Sequence, residues 1–111
     1  MNQGLLVTDR VQGKFGGSRH TGAIIRAELE GMLDHDFPVF MDFSGVEATQ
    51  SFIDEVVGVL ILKHGPNILK RVHFKGCSEE LRAVIKFVVI SRTNDYKNSQ
   101  APPRSHIRLA F

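Results

Sequence analysis

Three short β-favouring runs alternate with three helical patterns along this chain, and that alternation restricts the fold more than any other feature. A strand is expected over Gly4–Val11, where Leu5, Leu6, Val7 and Thr8 fall together. "VFMDF" at 39–43 and "KRVHFKG" at 70–76 are rich in β-branched and aromatic residues and too short for helices. Gly13, Gly16 and Gly17 mark a loop after the first run. Thr21 then opens a helix with Ile25, Leu29, Met32 and Leu33 on one face. Asp34–Pro38 is a polar break, and Ser44–Gln50 reads as a loop. Ser51 opens a second helix that Gly65 and Pro66 end. Ser78 caps a third, "CSEELRAVIKFVVISR", with Glu79 and Glu80 at its positive end. Strand–helix–strand units imply parallel strands joined by right-handed crossovers. The expected class is α/β.

A chain of 111 residues holds one hydrophobic core, and 42% hydrophobic with 23% charged residues is the balance of a compact globular domain. The charge is unevenly placed. Residues 1–90 carry ten Lys/Arg against eleven Asp/Glu, whereas 91–111 carry four against one. The expected division is a domain over 1–92 and a loosely ordered basic tail over 93–111, with "NSQAPPRS" unstructured and "IRLAF" able to pair on a sheet edge. A near-neutral body argues against nucleic acid as the partner. Cys77 stands alone, which excludes an intramolecular disulfide and a CxxC metal knuckle and leaves a small buried hydrophobe or a reactive thiol. No apolar run is long enough to span a membrane and no signal-peptide pattern opens the chain, so the expected setting is the cytoplasm.

Four stretches bear on chemistry. Ser51 and Asp54 form S-x-x-D at a helix start, where both side chains can satisfy free backbone N–H groups. A hydroxyl there is also where a phosphate would meet the positive end of the helix, making Ser51 or Thr49 a phosphoacceptor candidate. Asp42, Glu47, Asp54 and Glu55 gather where ligands of open α/β sheets sit, but acids favour first helical turns anyway. They read as a solvated rim, and no metal is expected. The glycine-rich loop 13–22, with Gly16, Gly17, Ser18, Arg19 and Thr21, has the general build of a phosphate cradle but spells neither GxxxxGK[ST] nor GxGxxG. The five histidines are scattered, and no G-x-S-x-G elbow is present. The chain is therefore expected not to be an enzyme and to need no cofactor; a small enzyme or nucleotide-binding domain built on the 13–22 loop is the alternative.

The second helix is apolar nearly all round. Phe52, Val56, Val59, Leu60 and Lys63 trace one stripe and Ile53, Val57 and Ile61 another. The third helix has a core face of Leu81, Val84, Ile85, Val88 and Val89 and a secondary one of Ala83, Phe87 and Ile90. Either these two helices cover each other, or the surplus meets a partner or a second copy. The expectation carried forward is that Phe52, with part of Ile53, Val57 or Ile61, forms an apolar patch left open in the monomer.

From Gly16 to Val89 the chain resembles the STAS-like domains of unknown function, relatives of the STAS domains of anti-sigma-factor antagonists and sulfate transporters. "DFSGVEATQSFIDEVVGVL" is similar to the STAS pattern of a strand ending in Asp-x-Ser-Gly-Val followed by a serine-bearing helix start. "SRHTGAIIRAELE" and "VHFKGCSEELRAVI" are similar to the flanking segments. On a gapless reading Gln50, Ser51, Phe52 and Ile53 fall on the Asp-Ser-Ser-Gly run of the antagonists. Their phosphorylated serine is the second of the pair, a position held here by Phe52, and Ser51 matches the first. The resemblance implies a STAS-like sandwich, a mainly parallel sheet with three or more helices largely on one face. It also implies a regulatory module that binds a histidine-kinase-like ATPase, by partner switching with serine phosphorylation. Phe52 would then be the apolar anchor of the interface, with Glu47, Gln50, Ser51, Asp54 and Glu55 around it.

Overall fold

The structure is a computed structural model and describes residues 3–99 and 109–111. Strands β1 (Gln3–Leu6), β3 (Val39–Asp42) and β5 (Val72–Lys75) form an all-parallel sheet in the order β1-β3-β5. Leu5, Met41 and Phe74 lie side by side across it, as do Gly4, Phe40 and His73. Alternation does the rest. Leu5, Val39, Met41, Val72 and Phe74 are buried under the helices, while Leu6, Phe40, His73 and Lys75 point to the opposite, open face. A second parallel pairing, β2 (Phe15–Gly16) with β4 (Glu47–Ala48), joins the glycine loop to the loop before the second helix.

The helices are α1 (Arg19–Leu33), α2 (Gln50–Ile53), α3 (Val59–His64) and α4 (Glu79–Ser99). A π-helical turn, Asp54–Gly58, joins α2 to α3, so the two run end to end as one continuous helix. All contribute to a single core that also holds the inner face of the sheet. The architecture is the expected α/β sandwich with its helices largely on one face.

Several boundaries differ from expectation, each for a physical reason. β1 stops at Leu6 and the chain turns into a 3-10 helix over Val7–Arg10, because its partner β3 ends at Asp42 and offers nothing further to pair with. α1 starts two residues before Thr21. Its cap is Ser18, whose Oγ accepts from the N–H groups of His20 and Thr21 at 3.1 and 3.4 Å. Residues 93–99 continue α4 instead of beginning a tail, and residues 100–108, the middle part of the expected loose tail, lie outside the described residues. Leu109–Phe111 return to the sheet, where Ala110 bridges His73 in parallel.

The apolar second helix is explained by its position. It lies between α1 on one side and α4 on the other, and it belongs to the same core as the sheet. Phe52, Ile53, Val57 and Ile61 are all 0% exposed within one chain, which overturns the expectation of an open patch there. Mutual helix packing consumes both stripes. Exposed apolar side chains occur elsewhere, among them Phe87 and Ile90 on α4, which are 55% and 62% exposed.

Candidate functional site

Where the start of α2 meets α4, a surface groove of about 310 Å³ is lined by Arg19, Gln50, Ser51, Asp54, Phe87, Ser91 and Arg92 among others. The helix beside it begins after Thr49, whose backbone is still extended and whose Oγ1 accepts from Phe52 N–H at 3.1 Å. Thr49 is therefore the cap of the helix. Ser51 lies one residue inside the first turn and is exposed on the groove wall, so its expected capping role passes to Thr49.

Asp54 is not half of a capping box. It is buried, and its carboxylate accepts from Arg92 Nε at 2.6 Å and Arg92 Nη2 at 2.7 Å, a two-pronged pair reaching across from α4. Arg19 Nη1 approaches the same carboxylate at 3.2 Å and Glu55 at 3.3 Å. The Arg92 hydrogen bonds, reinforced by Arg19, hold the Asp54 carboxyl below the usual carboxylate range despite its burial. The same bonds raise Arg92. Glu55 is lowered likewise, first by the hydrogen bond from Arg26, which also donates to the Glu55 backbone carbonyl at 2.8 Å. Arg26 continues the chain of charges to Glu30 at 3.7 Å, and Lys63 closes it at 3.0 Å. Alternating charges thus tie α4 to the central helix and the central helix to α1.

Gly58 makes room for this pairing. A Cβ there would lie 2.2 Å from Asp54 Oδ1 and 3.0 Å from Arg92 Cγ. The π-helical turn beside it, in which Val59 N–H reaches back to the Asp54 carbonyl, widens the helix at the residue that carries the buried charge.

The six residues expected at an interface separate into two groups. Glu47, Gln50 and Ser51 are exposed, and Glu47 accepts from the hydroxyl of Ser78, the α4 cap, at 3.0 Å. Glu55 is partly buried in its ion pairs, Asp54 is 7% exposed, and Phe52 is 0% exposed. Phe52 is therefore no interface anchor. Its ring lies against Gly16, where an added Cβ would come within 2.8 Å, so this glycine of the supposed phosphate loop serves ring packing. Gly16 also accepts from Thr49 N–H at 2.8 Å. Of the remaining loop residues, Ser18 caps α1, Arg19 faces the carboxylates, and Gly17 and Thr21 line a separate hollow with Arg10 and Phe15. Among the described residues, no three His, Cys, Asp or Glu side chains converge as metal ligands, and no helix is long and apolar enough to cross a membrane. Burial pushes the Cys77 thiol up to about 11, which disfavours the reactive form.

Sequence reasoning did not bring Arg92, Ser91 or Phe87 to this site, since they lie 36 or more positions beyond Ser51. One signal pointed that way. An aspartate inside an otherwise apolar helix requires a buried cation, and Arg92 is a basic residue on a neighbouring helix.

An open parallel α/β sheet, helices on one face, and a polar groove at the start of the central helix define the class. The family described as STAS-like domain of unknown function (DUF4325) matches residues 21–82, from the first turn of α1 to the first turn of α4. That is more than half of the 111 residues, and the chain belongs to this family. No curated protein and no solved structure matches it.

Proposed function

We propose that this chain is a non-enzymatic regulatory module that binds a protein partner, an ATPase of the histidine-kinase type, through the groove between the start of α2 and α4. The observation that carries the reading is the position of Ser51. It is an exposed hydroxyl in the first turn of the helix start that the family resemblance singles out, and it shares a groove with two guanidinium groups. Glu47, Gln50 and Ser51 supply a polar rim. Phe87, 55% exposed on the opposite wall, supplies the apolar contact that Phe52 does not.

Phosphorylation of Ser51 is the switch in this reading. Arg19 is 54% exposed at the side chain and held only at 3.2 and 3.3 Å, so it is the cation best able to turn toward a new phosphate. The modified groove would carry added negative charge beside Asp54 and Asp95, altering its fit to the partner. Thr49 is the weaker acceptor because its oxygen already caps the helix.

The test is affinity capture from native lysate with mass spectrometry of partners and phosphosites, followed by binding of Ser51→Asp to the captured ATPase. Weakened binding together with phosphate on Ser51 in cells is the expected result. Binding as tight as wild type, with no phosphate on Ser51 or Thr49, removes the switch. Capture of no ATPase removes the partner assignment.

A further inference from the structure

We propose that the outer edge of β5, with the first turns of α4, is a strand-addition seat for an extended peptide of apolar–small–aromatic pattern supplied by another protein. Leu109–Phe111 of this chain occupies it in cis. The inner edge of β5 is taken by β3, and Lys75 carbonyl accepts from Phe43 N–H at 2.8 Å. Phe74, the next residue back, therefore turns its backbone outward, and its N–H donates to the Ala110 carbonyl at 2.6 Å. Ala110 sits opposite His73 in parallel register.

Side chains on either side of that bridge are read separately. Leu109 packs against the core. The Phe111 ring lies 5.8 Å from the Phe74 ring, tilted by 37°, and Arg82 Cζ and Lys86 Nζ each stand 5.6 Å from its centroid. Two cations over one ring favour an aromatic over an aliphatic occupant. Backbone bonds for affinity and alternate side-chain seats for selectivity are the components of strand addition.

The cis occupant is held lightly. Among the described residues its pairing is a single bridge, and Phe111 remains 39% exposed although Phe74 beneath it is 1% exposed. Contacts of that extent open at low free-energy cost, leaving a sheet edge that another strand can take.

The experiment uses the full chain and a labelled peptide of the sequence Ser105–Phe111 as probe. Full-length Phe111→Ala, freed of its own competitor, should bind the probe about ten-fold more tightly than wild type, and a probe with its phenylalanine changed to alanine should not bind. Hydrogen exchange at the Phe74 amide should accelerate in Phe111→Ala and slow again when the probe is added. Equal binding to both chains, or Phe74 exchange indifferent to Phe111→Ala, overturns the proposal. If Phe111→Ala does not fold, Arg82→Gln/Lys86→Gln, two exposed positions, should weaken probe binding; unchanged affinity overturns it equally. A concentration-dependent dimer that Phe111→Ala abolishes would assign the seat to a second copy, against a foreign peptide.

Discussion

Thr49 and Ser51 sit two positions apart, yet the structure gives them opposite work. Thr49 caps α2 through a 3.1 Å bond to Phe52 N–H, so Thr49→Ala should cost about 1 kcal/mol in urea denaturation. Ser51 is exposed inside the first turn, and Ser51→Ala should stay within about 0.5 kcal/mol of wild type. A larger loss at Ser51 than at Thr49 would contradict the assignment of the cap. Arg92 carries more weight, because Asp54 is 7% exposed and would be left with Arg19 alone. Arg92→Ala should cost about 2–3 kcal/mol at pH 7, less than a fully buried pair, since the Arg92 side chain is 32% exposed and Arg19 remains. The sign of its pH dependence follows from the lowered Asp54 carboxyl. A depressed carboxyl stabilises the fold above its unfolded value, about 3.9, and that contribution disappears as pH falls through the folded value. Wild type should therefore lose more stability than Arg92→Ala below about pH 4, and the gap between them should narrow there. A gap that widens in acid would refute the pairing as its source.

At the scale of elements, the central helix shows how one small residue admits a charge into an apolar layer. Alanine is the better helix former by about 1 kcal/mol, and on propensity alone Gly58→Ala would stabilise the protein. The contact geometry reverses that sign. An added Cβ 2.2 Å from Asp54 Oδ1 must displace the carboxylate that Arg92 holds. Gly58→Ala should be destabilising by about 1–3 kcal/mol, and its cost should shrink in an Arg92→Ala background, where the carboxylate is free to move. A double-mutant cycle in urea measures this, and strict additivity would rule out the coupling. The element ends follow the same logic. Ser78 caps α4 as its sequence suggests, accepting from Leu81 N–H at 3.1 Å, whereas α1 takes Ser18 and not Thr21 because the chain is still extended at Ser18.

For the whole molecule, the glycine loop is structural material joining β2 to α1, with Ser18 on its own helix and Arg19 on the acids. Titration calorimetry with ATP or GTP should therefore give no micromolar binding; binding lost in Arg19→Ala would restore the nucleotide-binding alternative. The sequence by itself determined the α/β class, the three sheet strands, the helix ends at Gly65 and Ser78, and the family. Each of these rests on local periodicity, on turn and cap chemistry, or on a contiguous motif, all of which are properties of neighbouring residues. Tertiary structure decided which apolar surface stays open. Phe52 and Ile53 vanish between α1, α4 and the sheet, while Phe87 and Ile90 remain exposed, because apolar stripes identify faces without naming what covers them. It also decided the site. Arg19, Asp54 and Arg92 come from three helices, and their meeting depends on where those helices pack, which no spacing along the chain records.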